Sequence, residues 1–272
     1  MTDRTELEPR MILYIDLLGF SEFIQKMKMK SKEENARTVG ILTLTFPQVL
    51  EAARRADNPA NSRPYDMQLF HFSDTIVVSM SHRARGRAFE VMVKAANVIA
   101  ARMLDIGLLC RGAIHFGQLY HKDNLIYGPA LVEAHAHESK CAFYPRIIVT
   151  RDMYSSIHQR YEDMGLLRDI GLKHDNDFHY VDFIGHLKKE ILAHKPMKAW
   201  CLYCMRDLHK IIEEGLAHPK PEVRQKFEWM ANRYLEQAVE LHKESAHIPG
   251  IWITFIPPGF DGLSVPAPPT FD

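Results

Sequence analysis

Two aspartates stand where carboxylates are costly. Asp16 lies inside the apolar run MILYIDLLGF, and Asp74 lies between the two apolar runs of MQLFHFSDTIVVSM. An ionised carboxylate buried alone costs several kcal/mol, so Asp16 requires a partner such as a metal or a cation. Paired carboxylates brought together from two strands suit a hard divalent cation, Mg2+ or Mn2+, which takes oxygen ligands and bridges to substrate phosphates. The plainer reading of the same pair is two strand-end carboxylates satisfied by backbone N–H groups or by a nearby arginine.

The rest of the chain supplies the elements that hold this pair. After the first strand, SEFIQKMKMK and ENARTVGILTLTFPQVLEAARRA read as helices, with Pro47 expected to kink or divide the second. DNPANSRPYD breaks the pattern, and the runs that meet at Ser73-Asp74 predict a hairpin with Asp74 at its tip. Phe89, Met92, Val93, Ala96, Ile99, Ala100 and Met103 recur at helical spacing until Gly107. LLCRGAIHFGQLY and LIYGPA return to strand around a turn at HKDN. A short helix over LVEAHAHESKCAF then leads into PRIIVT.

The order βααββαββαβ predicts an α+β domain with a mostly antiparallel sheet flanked by helices. DIGLKHDNDFHYVDFI adds a hairpin near Asp175-Asn176. Residues 8–186 form the expected catalytic domain. Residues 187–272 form an expected helical extension, closed by a short strand within HIPGIWITFIPP and a Pro-rich tail.

Composition excludes several classes of function. The 34 basic residues balance the 34 acidic ones, so no global field draws the chain to nucleic acid or to an anionic membrane. Any phosphate must be held locally. The four cysteines are too few and too irregular for a disulfide framework, no charged-then-apolar leader opens the sequence, and no apolar run approaches the ~20 residues of a membrane helix. The expected location is cytoplasmic.

YIDLLGF resembles the first metal-binding motif of class III nucleotidyl cyclases, in which an Asp precedes a Gly-Phe at the end of the first strand. HFSDTIVV resembles the second, with Ser73 in place of the usual Gly. CRGAIHFG is similar to the family's Arg-x-Gly-Ile-His-x-Gly strand, and YGPALVEAHAHES with PRIIVT resembles the segment through the interface helix to the next strand. The resemblance spans Met11 to Phe183 in order and spacing. It implies two metal ions on Asp16 and Asp74 with help from the Leu17 carbonyl, and a homodimer with active sites at the interface. It also makes Arg111, Arg146 and Lys173 candidate phosphate contacts.

The departures fall on the base and the transition state. Phe70 and Leu125 occupy positions where purine cyclases place polar base readers, and Val132 and Ala136 stand where the family places its transition-state Asn and Arg. IDLLGF, FSDTIVV and EAHAHES with YPRI resemble the bacterial Pycsar pyrimidine cyclases more than the purine enzymes. That resemblance implies cyclic UMP or cyclic CMP made from UTP or CTP, with UTP favoured, as a signal in antiphage defence. The alternatives are a purine cyclase with an atypical pocket and an inactive module that keeps the fold.

Other conspicuous residues have plainer readings. His135 and His137 are two apart on a helix and point to different faces, which argues against one shared metal. Cys201 and Cys204 read as buried thiols, and His115 as a satisfied structural histidine. Phe227, Met230 and Tyr234 give the last helix an apolar stripe larger than a lone appendix should expose, which predicts that a second chain covers it.

Overall fold

The computed structural model of the chain describes residues 6–56, 66–81, 88–162, 170–175, 177–193 and 198–245. The expected strand and Pro-rich tail beyond 245 lie outside the described residues. The chain divides into two compact units, Met1–Phe183 and Ile184–Asp272.

The first unit is α+β. Its elements are β1 (Glu8–Leu18), α1 (Phe20–Met27), α2 (Lys32–Ala56), β2 (Gln68–Phe72), β3 (Thr75–Ser81), α3 (Ala88–Leu104), β4 (Leu109–Lys122), β5 (Leu125–Tyr127), α4 (Pro129–Cys141), β6 (Ile147–Val149), α5 (Arg151–Glu162), β7 (Leu172–His174) and β8 (His179–Val181). The sheet runs β2-β3-β1-β4-β6-β8-β7, with β5 on β4, and every pairing is antiparallel except β4 with β6. Helix α5 is an addition, because the sequence pattern assigns no helix to that segment.

Alternation along β1 sorts its residues between two layers. Met11, Leu13, Ile15 and Leu17 enter the main core, where Phe89, Met92, Val93, Ala96, Ile99 and Met103 of α3 meet them. Arg10, Ile12, Tyr14 and Asp16 therefore face the other way, toward the layer in which Ile12 packs with Ala130 and Ala134 of α4. The candidate carboxylate is thus on the α4 side.

Two expectations need correction. Pro47 does not divide its helix: α2 is continuous from Lys32 to Ala56 with the proline inside it. A proline removes one N–H and crowds one turn, at about 3 kcal/mol. Burial of Thr45 and Val49 on either side of Pro47 opposes that cost.

The second correction concerns the C-terminal unit, which holds most of α6 (Phe183–Leu192), with α7 (Lys198–Leu216) and α8 (Pro221–Ser245). Met230 and Tyr234 are fully buried, Tyr234 packs near His209 of α7, and the Phe227 ring lies where a side chain at Gly215 would be. The stripe is covered by the chain's own α7, so it gives no reason to expect a second chain there.

Candidate active site

The strand β1 ends because Gly19 takes φ +76, a left-handed conformation that suits glycine, and α1 starts immediately after it. Asp16 is therefore held near the strand's C-terminal end. The hairpin β2–β3 closes through Ser73 and Asp74 between the paired residues Phe72 and Thr75. Ser73 adopts φ +56, which explains on steric grounds why a glycine suits that position.

The hairpin tip is fastened to β1. Thr75 pairs with Asp16, and Leu17 N–H donates to the Asp74 carbonyl at 2.9 Å. N–H and C=O of one strand residue leave the same edge, so the Leu17 carbonyl also faces the turn. Asp16, Leu17 and Asp74 thus adjoin one another at one end of the sheet.

Arg111 enters from the other side. It pairs with Asp16 in the β1–β4 register, and its Nε–H donates to Asp16 Oδ2 at 3.0 Å. Gly112 allows this close approach, because a Cβ there would lie 2.3 Å from the Tyr14 carbonyl. The partner that Asp16 required is therefore, within the chain, a guanidinium. Asp16 and Arg111 stay 22% and 24% exposed, so solvent and ligands reach them.

A fourth charged residue completes the group, and the sequence reading had not named it. Glu138 of α4 is only 2% exposed, with Oε1 at 2.5 Å from Arg111 Nε. Nε carries one hydrogen and gives it to Asp16, so the contact with Glu138 is an ion pair without a hydrogen bond. Ser139 Oγ donates to Glu138 Oε2 at 2.8 Å. Burial pushes the Glu138 carboxyl up, while Ser139 and Arg111 oppose the rise. The overlooked signal was a period of four: Ala130, Ala134 and Glu138 are the buried residues of α4, so a small apolar stripe ends in a carboxylate.

Tyr14 closes the group on the α4 side. Its hydroxyl lies 3.4 Å from Thr75 Oγ1, and its ring meets His135 edge-on at 5.3 Å. Burial raises its pKa, the contact with Thr75 opposes the rise, and the charges of Glu138, Asp16 and Asp74 add to it.

The remaining candidates are dispersed. Phe70 is partly buried in the α4 layer with Tyr14 and Val77. Leu125 is 56% exposed in β5, opposite Lys122 and at the other end of β4 from Arg111. Arg146 is buried, paired with Asp175, and ringed by Tyr144, Phe178 and Tyr180. Lys173 sits on β7, opposite Tyr180. Four strand spacings separate β7 from β1, about 19 Å, so Lys173 and Asp16 of one chain do not meet on one phosphate.

The plainer histidine readings agree with these positions. His135 faces Tyr14, whereas His137 lies near His115, whose two ring nitrogens meet Thr150 and Glu133. Among the described residues no three His, Cys, Asp or Glu side chains converge to hold a metal ion. A cation at Asp16 and Asp74 would therefore take its further oxygens from the Leu17 carbonyl, substrate phosphates and water. That donor set is all oxygen and fits Mg2+ or Mn2+. Among the described residues no helix is long and apolar enough to cross a membrane.

Solved structures similar to this chain include the adenylyl cyclase CyaB from P. aeruginosa, at 15% identity over 65% of this chain and 93% of that one, with a TM-score of 0.38. The catalytic core of a rhodopsin-guanylyl cyclase with converted specificity, in complex with ATPαS, is 14% identical over 57% and 84%, with a TM-score of 0.40. An adenylate/guanylate cyclase/hydrolase from Silicibacter pomeroyi is 16% identical over 65% and 98%, also with a TM-score of 0.40. No family model matches the chain, and no curated protein matches it.

Proposed function

We propose that the protein is a metal-dependent nucleotidyl cyclase that converts a pyrimidine nucleoside triphosphate, UTP before CTP, to the 3′,5′-cyclic monophosphate and pyrophosphate. The observation that supports this reading is the tether from Leu17 N–H to the Asp74 carbonyl, which holds the hairpin tip against the end of β1 that carries the partly exposed Asp16. The motif resemblance supplies the reaction class and the role, signalling in antiphage defence.

Two divalent ions held by Asp16, Asp74 and the Leu17 carbonyl would lower the pKa of the ribose 3′-hydroxyl and neutralise charge as pyrophosphate departs. The chain's own residues orient and balance. Asp16 and Asp74 supply negative charge at the end of β1, and Arg111 offers a guanidinium suited to a phosphate oxygen. No protein nucleophile is required.

The active unit in this reading is a homodimer. Its support is the four strand spacings, about 19 Å, between β1 and β7, which favour a lysine supplied to the carboxylates of one chain by another. Arg146, paired with Asp175 among aromatic rings, is in this reading a further phosphate contact on the same side of the sheet as Lys173. Phe70 and Leu125 offer no polar group to the hydrogen-bonding edge of a purine, which favours a smaller base read from other positions.

The test is incubation with each of the four NTPs and Mn2+, followed through pyrophosphate release and chromatography of the cyclic product. UTP or CTP is expected to turn over at least ~10-fold faster than ATP or GTP, a difference of ~1.4 kcal/mol. Equal or better rates with a purine remove the pyrimidine assignment and leave the cyclase. No cyclic product from any NTP removes the cyclase.

A further inference from the structure

Arg111 stands between two carboxylates and has one Nε–H to give. It donates to Asp16 Oδ2 at 3.0 Å, while Glu138 Oε1, 2.5 Å from the same nitrogen, is buried and receives no hydrogen bond from any described residue. The two acceptors differ in setting. Asp16 is 22% exposed and open to a cation, whereas Glu138 is 2% exposed and backed by Ser139. A guanidinium on Asp16 and a divalent cation on Asp16 compete for the same carboxylate.

We infer that Glu138 is a positioning residue that takes Arg111 over from Asp16 when a divalent cation binds, so that the metal site opens without expelling the guanidinium. This rests on the reading of Asp16 as a metal ligand. Before the cation arrives, Arg111 neutralises Asp16 and keeps the strand end from carrying bare charge. Once the cation holds Asp16, Nε–H turns to Glu138 Oε1, an acceptor already within contact distance. The buried carboxylate then offsets the positive charge that would otherwise repel the metal, and the guanidinium stays anchored beside the phosphates. An acceptor fixed on α4 also explains why a helix face of Ala130 and Ala134 ends in a carboxylate that costs several kcal/mol to bury.

The experiment measures Mn2+ binding to the full chain by calorimetry and electron paramagnetic resonance, with no nucleotide present. Glu138→Gln leaves Arg111 on Asp16 and is expected to weaken Mn2+ binding about 10-fold, as loss of an outer-sphere partner typically does. Removing the competitor as well, in Glu138→Gln with Arg111→Met, is expected to restore binding to the wild-type level or tighter. That double variant deletes one charge of each sign and keeps the neighbourhood balanced, so it tests the idea even where the single variant folds poorly. A second readout is the arginine Nε–H resonance of Arg111. It is expected to shift on adding Mg2+ to the wild type and to stay in place in Glu138→Gln.

Glu138→Gln binding Mn2+ as tightly as wild type overturns the inference. So does a double variant that remains as weak as the single one, because Glu138 then acts on the metal by some route other than Arg111. A wild-type chain that binds no Mn2+ overturns the metal reading itself. That result is distinct, because it appears before any variant is made.

Discussion

One face of β1 carries a charged cluster at each end, and the two are built to opposite rules. At the start of the strand, Arg10 is fully buried and closed on every side: Nε donates to Ser79 Oγ at 2.9 Å, Nη1 to Glu8 and Asp66, and Nη2 to the Asp66 carbonyl. Ser79 in turn meets His121 Nδ1 at 2.7 Å. Two rows of packing residues away, Arg111 is partly exposed; its Nε–H goes to Asp16, and Glu138 meets the same nitrogen as an ion pair only. The sealed cluster engages all three nitrogens of its guanidinium, as a buried charge requires. The open cluster leaves its guanidinium partly exposed and lies at the strand end that the hairpin tip adjoins. A buried guanidinium tied by several hydrogen bonds fixes a fold; an accessible one beside unfilled carboxylate oxygens can bind.

The strongest way to break this comparison is at the sealed end. Arg10→Met is expected to cost about 3–5 kcal/mol, because it leaves Glu8, Asp66, Ser79 and His121 around a missing cation. Denaturant unfolding checks it, and a loss below ~1 kcal/mol would mean that the two ends are alike.

At the open end the expected loss is in rate. Asp16→Asn and Asp74→Asn should each reduce cyclisation at least ~100-fold, or ~2.7 kcal/mol of barrier, with little change in melting temperature. Steady-state rates with saturating Mn2+ measure the first, and calorimetry the second. Unaltered melting with lost activity is the behaviour that separates this cluster from the Arg10 one.

Tyr14 lies between the two clusters and reports on the open one by pH. Burial holds its phenol neutral above the ordinary value of 10.0, with Glu138, Asp16 and Asp74 adding to the effect. The folded state therefore keeps a proton that the unfolded state releases first. The contribution is fully present below about pH 10 and is lost as pH rises through the folded value. Tyr14→Phe is expected to make the alkaline fall in stability shallower, and denaturant titrations at pH 8 to 11, the span around a free phenol's pKa of about 10, decide it. A parallel fall in both proteins would count against it.

The smallest expected effect is at the hairpin tip. Ser73 holds a left-handed φ that costs a non-glycine residue roughly 1 kcal/mol, so Ser73→Gly should stabilise the chain by at most that amount. A lower melting temperature would mean that the serine side chain, and not the turn conformation, governs the position.

Legibility in the sequence followed the range of the interaction. The strand at MILYIDLLGF, the turn at Ser73-Asp74 and the stripe of α3 are local patterns, and each appears in the structure because apolar alternation, turn preference and helical period act between near neighbours. The α+β class followed from their order. The C-terminal stripe was legible as apolar but not as self-covered, since a sequence pattern marks a face to be buried and does not say by what. Helix α5 was missed because its exposed residues make the apolar period weak.

The sequence alone determined that Asp16 must have a partner, because burying a carboxylate in an apolar strand is costly wherever that strand goes. Only the tertiary structure decided which partner. The register of β4 on β1 sets Arg111 opposite Asp16, and the packing of α4 on both strands lowers Glu138 onto the same nitrogen. Residues 16, 111 and 138 are joined by pairing and packing between distant segments, whose geometry no local period encodes.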